Sequence, residues 1–159
     1  MTTKQQDTKD RELVITREFN APRELVFQAW TDPKHLINWW GPNGFTNTFH
    51  EIDIKPGGVW LFTMHGPDGV DYPNRIIYQE VVKPKRLSYL HTSDDPDDPA
   101  NFNVFVTFEE LGEKRTSLTM RMVFATPEQL QAVKEQFGAM EGAHQTLGRL
   151  EEELKKMDL

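Results

Sequence analysis

Cysteine is missing from this sequence. Its absence excludes disulfides, thiolate metal sites and a cysteine nucleophile, and it fits a reducing, cytoplasmic setting. Positive charge is in short supply: 18 Lys and Arg face 25 Asp and Glu, a net charge of −7 at pH 7. The basic residues are scattered in small groups, such as Lys83, Lys85 and Arg86, without interleaved aromatics. An acidic surface repels phosphate backbones, so no nucleic-acid partner is expected. No apolar run approaches the roughly 20 residues of a membrane-spanning helix, so no membrane span is expected. Met1 to Asp10 is polar and shows no hydrophobic signal region; these ten residues read as a disordered tail.

Catalytic and metal-binding motifs are missing too. The histidines, His35, His50, His65, His91 and His144, show no ligand spacing. His50-Glu51 does not grow into a zinc-protease motif, because Ile54 occupies the place of the second histidine. There is no Gly-x-Ser-x-Gly elbow and no Walker loop, and no pair of carboxylates is set up as acid and base. Asp94, Asp95, Asp97 and Asp98 lie in an acidic stretch that lacks the glycine and final glutamate of a calcium loop, and they read as a solvated loop. No metal and no cofactor are expected.

What is present is a 159-residue chain with 37% apolar and 27% charged residues, enough for one core, read as a single domain over 11–159. Glu12 to Asn20 is rich in strand formers. Pro22 to Thr31 reads as a short helix. Asp32-Pro33 caps a second one, Pro33 to Trp39, which stops at Gly41-Pro42. Strands are then expected over Phe45–Ile54, Val59–His65, Val70–Val82, Arg86–Thr92, Phe102–Glu109 and Lys114–Ala125. Turn residues separate them: Pro56-Gly57-Gly58, Gly66-Pro67-Asp68-Gly69, Lys83-Pro84 and the segment around Gly112. Short strands joined by tight turns argue an antiparallel meander. Thr126-Pro127-Glu128-Gln129 is a helix start with the makings of a capping box. Beyond it Leu130, Val133, Phe137, Met140, His144, Leu147, Leu150, Leu154 and Met157 recur every three or four residues, the mark of one long amphipathic helix. Such a helix is the only element long enough to cover one face of the sheet.

Alternation along the strands selects the residues of that face. Trp60, Phe62 and Met64 share one side of their strand; Leu118, Met120, Met122 and Phe124 share one; Phe102, Val104, Val106 and Phe108 share another. Methionine and aromatics suit either a filled core or a cavity for an apolar guest. Tyr89 and His91 stand on one side of their strand with Leu87, and Tyr78 stands with Ile76; whether those sides face inward is left open. His144, within the apolar stripe of the long helix, is either a satisfied core histidine or a ligand contact. Gly138 and Gly142, one turn apart, mark a close approach to the sheet or a kink beside the cavity mouth, or else a packing accommodation.

The adjacent pair Trp39-Trp40, before Gly41-Pro42, is the most informative local feature. Neighbouring helical residues point about 100° apart, so one tryptophan is expected in the core and the other at the entrance of a groove.

Taken in order, Ile15-Thr16-Arg17-Glu18-Phe19-Asn20-Ala21-Pro22, Trp30-Thr31-Asp32-Pro33, Trp39-Trp40-Gly41-Pro42, Pro56-Gly57-Gly58, Met64-His65-Gly66-Pro67-Asp68-Gly69, Glu80-Val81-Val82-Lys83-Pro84 and Glu141-Gly142 carry a resemblance. From about Leu13 to Leu154 the chain resembles the bacterial activator-of-Hsp90-ATPase-like family, within the START, Bet v 1 and polyketide-cyclase (SRPBCC) superfamily. The resemblance implies an α+β helix-grip fold: a curved antiparallel sheet of about seven strands around a long C-terminal helix, with an elongated cavity between them. Many relatives carry tryptophan directly after the equivalent of Gly142, where this chain has Ala143, so its cavity would be roomier if that side chain faces inward. The candidate ligand contacts are Trp39, Trp40, Trp60, Phe62, Met64, Tyr78, Tyr89, His91, Met120, Met122, Phe124, Phe137, Met140 and His144.

Three readings of function follow. The first is non-catalytic binding of a small hydrophobic molecule. The second is a cyclase- or hydrolase-type enzyme using His144, His91 or Tyr89 in the same cavity. The third is a stress protein that binds an Hsp90-type chaperone, as the family name suggests. The oligomeric state, a homodimer included, stays open.

Overall fold

The computed structural model describes residues 9–92, 101–137 and 139–157, without the side chains of 136, 137, 139 and 140. A 3-10 turn, Lys9–Arg11, leads into β1 (Glu12–Phe19), so the expected tail stops short of Lys9. Helices α1 (Arg23–Thr31) and α2 (Pro33–Trp39) follow. Six strands come next: β2 (Thr46–Ile52), β3 (Val59–His65), β4 (Asp71–Val82), β5 (Arg86–Thr92), β6 (Phe102–Gly112) and β7 (Arg115–Val123). The acidic stretch from Ser93 to Ala100 lies outside the described residues. The chain continues through α3 (Pro127–Phe137) and α4 (Ala139–Lys156).

The sheet order is β1-β7-β6-β5-β4-β3-β2, with every neighbouring pair antiparallel. Sequential strands from β2 to β7 are neighbours, as their tight turns require. The exception is β1, which pairs with β7 at the far edge; α1 and α2 make the crossing from one edge to the other. At the turn before β3, the amide of Gly57 donates to the Tyr78 carbonyl, and the Gly58 carbonyl accepts from the Tyr78 amide. A Cβ at Gly58 would run into the carbonyl of Asp53, and Gly57 has φ +82°, so the Gly-Gly pair is demanded by the backbone.

Local caps act as the sequence suggests. Asp32 Oδ1 accepts from the Lys34 amide at 3.0 Å, with Pro33 in the first turn of α2. Thr126 Oγ1 accepts from the Gln129 amide at 3.0 Å, and Gln129 Oε1 reaches back to the amide of Ala125. That is a capping box displaced by one residue.

The long helix expected over Pro127–Met157 is described in two stretches, α3 and α4, and Gly138 between them lies outside the described residues. The two segments have different neighbours: α3 packs on the 3-10 turn and β1, while α4 packs on α1, α2 and β1. On α4 the buried stripe is Leu147, Leu150, Leu154 and, just past its end, Met157.

Arg17, on the inward side of β1, fastens α4 to the sheet edge through an ion pair with Glu151 and a contact with the carbonyl of His144. On the opposite side of α4, the buried Glu153 accepts from Asn38 Nδ2 at 3.2 Å and bonds His35 Nδ1 at 2.9 Å, which joins α4 to α2. Held at both flanks, α4 leaves space above the middle strands.

Candidate functional site

That space is a cavity of about 830 Å³ between the inner face of the sheet, the turn after α2 and the first turns of α4. Its inner wall is Trp30 and Trp40, Tyr89 and His91 on β5, Phe102 and Val104 on β6, and Met120 and Met122 on β7. The outer part is lined by Gly41, Pro42, Asn43, Phe45, Met64, Tyr72 and Asn74, and by Glu141, Gly142, Ala143, Gln145 and Thr146 of α4. Asn43, Tyr72 and Glu141 are exposed and mark the mouth. Apolar and aromatic walls with a few convergent polar groups, in a volume between roughly 300 and 1,000 Å³, are the usual make-up of a small-molecule site. A second hollow of about 540 Å³ lies between α1 and the end of α4, but Glu24, Gln28, Lys114, Glu151 and Lys155 form much of its wall. It reads as a solvated groove.

Of the sequence candidates, Trp40, Met64, Tyr89, His91, Met120 and Met122 line the cavity. Trp39, Trp60, Phe62, Tyr78 and Phe124 are buried in the core around it. The tryptophan pair divides as its geometry requires. Trp39 is fully buried and donates its indole N–H to the carbonyl of Ala29 at 3.1 Å. Trp40 packs edge-on to Trp30 and Trp60 and presents its remaining face to the cavity. It forms part of the inner wall, where the lip of the entrance was expected. Trp60 and Phe62 stack at 4.1 Å between ring centres and support it from below. Phe124 stacks on Phe102 at 4.9 Å and so backs the wall from one layer further out. The side chains of Phe137 and Met140 lie outside the described residues.

His144 is exposed, and among the described residues its side chain has no hydrogen-bond partner, while Arg17 contacts its carbonyl. The stripe of α4 runs back from Leu147 to Ala143, four residues earlier, and leaves His144 on the flank. Spacings of three and four both fit a helical stripe, so the period alone does not choose between Ala143 and His144. Ala143 does line the cavity, so the space that a larger side chain would fill is open in this protein.

The polar centre of the cavity is His91. Its Nε2 lies 2.8 Å from Asn74 Oδ1, and the Asn74 amide nitrogen donates to the Tyr72 carbonyl at 2.9 Å. The rings of Phe102 and Phe62 stand 4.9 and 6.4 Å from it, centre to centre. Desolvation in this apolar setting pushes the His91 pKa down from 6.5 to about 4, so the ring is neutral at pH 7. Burial drives the Tyr89 phenol the other way, well above its usual range, with the nearby Tyr78 adding to the effect. A base that weak and an acid that weak are poorly matched to proton transfer near neutrality.

Asn74 and Arg149 are among the contributors that the sequence does not single out. Asn74 has no motif around it. Arg149 sits on the polar flank of α4, and its guanidinium donates to four carbonyls: Asn38 at 3.1 Å, Trp40 at 3.3 Å, Gly41 at 2.8 Å and Pro42 at 3.0 Å. Burial lowers its pKa. Together with the bond from the Asn43 amide to Gln145 Oε1 at 3.1 Å, it clamps the Trp-Trp-Gly-Pro turn onto α4 and so fixes one wall of the cavity. A signal did exist: α2 ends in a Gly-Pro turn, which leaves carbonyls needing donors.

Three further histidines are accounted for on the outside. His35 bonds Glu153. His50 bonds Thr63 at 2.9 Å. His65 lies 2.7 Å from Thr48 Oγ1 and 2.8 Å from Asp71 Oδ1. The Thr48–His65–Asp71 chain has the order of a nucleophile, base and orienting acid. It arises from cross-strand register on the exposed face of β2, β3 and β4, away from the cavity, and lacks the enclosing pocket that acyl transfer needs. Among the described residues no cluster of three or more His, Asp or Glu side chains could hold a metal ion. None of the described helices is long and apolar enough to cross a membrane.

A seven-stranded antiparallel sheet gripping a C-terminal helix across such a cavity is the helix-grip α+β fold. Solved structures agree. A crystal structure of a Mycobacterium smegmatis protein is 31% identical, with 96% of each chain covered and a TM-score of 0.83. An Arthrobacter aurescens protein is 28% identical, with 94% of this chain and 89% of that one covered and a TM-score of 0.85. A Nitrosomonas europaea protein is 26% identical, with 94% and 97% covered and a TM-score of 0.83. No curated protein matches the chain significantly. Residues 20–155 match the family described as activator of Hsp90 ATPase homolog 1-like protein, and the chain belongs to that family.

Proposed function

We propose that the protein binds a small, largely apolar molecule in the cavity beneath α4, without chemistry upon it. The observation that carries this reading is a cavity of about 830 Å³ whose inner wall is aromatic and methionine-rich, with one neutral histidine upon it. The enzyme reading would rest on His91 and Tyr89, whose protonation states are both held firm by burial. His144, its other candidate, faces away.

The test is native mass spectrometry of protein purified from its host, paired with a cavity-filling variant. Wild type is expected to carry or take up an apolar molecule. Ala143→Trp, which puts an indole into the lining, is expected to lose it while melting within a few degrees of wild type. Uptake unchanged by Ala143→Trp would remove the cavity from the argument. Retention on an immobilised Hsp90-type chaperone, with no small molecule bound, would favour the reading that the family's name suggests.

A further inference from the structure

Which ligand chemistry this cavity accepts can be read from its hydrogen-bonding groups. We propose that the ligand is electrically neutral, that its polar end is a hydrogen-bond donor received by Nδ1 of His91, and that carboxylates are rejected. This rests on the binding function proposed above.

The first argument is the direction of the hydrogen bonds. The Asn74 side-chain nitrogen donates to the Tyr72 carbonyl, which can only accept. That orientation turns Asn74 Oδ1, also only an acceptor, toward His91 Nε2. The proton of the neutral ring must therefore sit on Nε2, and Nδ1 carries a lone pair. Among the described residues nothing hydrogen-bonds Nδ1, and His91 keeps part of its surface open to the cavity. The site thus presents a fixed acceptor between the Phe62 and Phe102 rings.

The second argument is charge. The described lining contains one charged side chain, the carboxylate of Glu141, and no Lys or Arg. The cation behind the wall, Arg149, spends its donors on backbone carbonyls. Thr146 Oγ1 donates to the Gly142 carbonyl, Gln145 Nε2 donates to Glu141, and the unpartnered indole N–H of Trp30 has no surface in the cavity. The donors left on the lining, such as the Tyr89 hydroxyl and the Trp40 indole N–H, are neutral and supply no counter-charge for a carboxylate. A carboxylate entering would lose its water and meet a lone pair and a like charge. Protonating His91 to receive it is opposed by the same desolvation that holds the ring neutral.

Three probes of one size separate the cases: 1-naphthol, a neutral donor; 1-methylnaphthalene, of the same shape without a donor; and 1-naphthoate, an anion. Each is titrated by ligand-observed NMR at pH 7 into wild type and His91→Phe. Wild type should bind 1-naphthol about three- to tenfold tighter than 1-methylnaphthalene, the worth of one hydrogen bond. It should bind 1-naphthoate at least about tenfold more weakly than 1-naphthol. His91→Phe should erase the naphthol advantage and keep 1-methylnaphthalene. Equal or tighter binding of 1-naphthoate by wild type overturns the inference whatever the variant does, and so does a naphthol preference that survives His91→Phe. Binding of none of the three would overturn the cavity-binding function itself, and the inference with it.

Discussion

Replacing His91 with glutamine removes a titrating ring and leaves a side chain that can still donate to Asn74. The consequence for stability follows from the pKa of the buried ring. In the unfolded chain His91 takes its proton near pH 6.5; in the folded protein it does not until about pH 4. Between those values the unfolded state binds more protons, so stability rises with pH through this window. The contribution is complete above about pH 6.5 and is lost as the pH falls toward 4. At about 1.4 kcal/mol for each pH unit of separation, it amounts to roughly 3 kcal/mol, a large share of the ~5–15 kcal/mol that stabilises an ordinary domain. Among the described residues the ring's partners, Phe62, Phe102 and Asn74, do not titrate, so the effect belongs to burial of His91 rather than to an ion pair with them.

The assay is urea unfolding of wild type and His91→Gln from pH 4 to 8. Surface carboxylates titrate alike in both proteins and cancel in the difference. The stability of wild type relative to the variant should climb by about 2–3 kcal/mol between pH 4 and 7 and then level off. Nitrogen chemical shifts of the ring at pH 6 should report a neutral imidazole protonated on Nε2. A difference curve flat with pH, or an imidazolium at pH 6, would refute the reasoning and would remove the fixed acceptor on which the proposed ligand selectivity depends.

The clamp at the α2 turn and the tryptophan pair give two more tests. Arg149→Met should lower stability by about 1.5–3 kcal/mol in urea unfolding, the range for hydrogen bonds to a charged group; Arg149→Lys should recover only part, because a point charge cannot fork across four carbonyls. Trp39→Phe loses packing and the bond to Ala29 and should cost about 2–4 kcal/mol. Trp40→Phe should cost less in unfolding and more in affinity for 1-naphthol, because part of that ring faces the cavity. The reverse order of the two would show that their division of labour has been misread.

How much of this was legible beforehand depended on whether a residue's role is local. The strands and their turns are local matters. Val59–His65 and Arg86–Thr92 fall where their flanking Gly, Pro and Lys residues put them, and α2 occupies the segment that Asp32-Pro33 and Gly41-Pro42 delimit. Alternation also holds along parts of β3, β6 and β7: Trp60 and Phe62, Val104 and Val106, and Leu118 and Met122 are all buried. It fails to carry across bulges. In β4 the register shifts between Tyr78 and Glu80, so that Ile76, Tyr78 and then Val81 turn toward the core, and no period-two count predicts that step.

The site itself is made by register and by helix rotation, and these are not local. His91 and Asn74 are 17 residues apart in sequence and meet because β4 and β5 pair with Ile76 opposite His91. Arg149 looks like one more solvated cation on an amphipathic helix until the carbonyls of α2 and its turn are brought against it. A three-or-four spacing cannot choose between Ala143 and His144, because each lies within half a turn of the stripe; packing chooses, and it puts the smaller one inside. That choice matters for function as much as any polar group. With histidine inward the cavity would hold a second titratable acceptor near its mouth and less room. With alanine inward the volume is kept, and among the described residues His91 is the one histidine that lines the cavity.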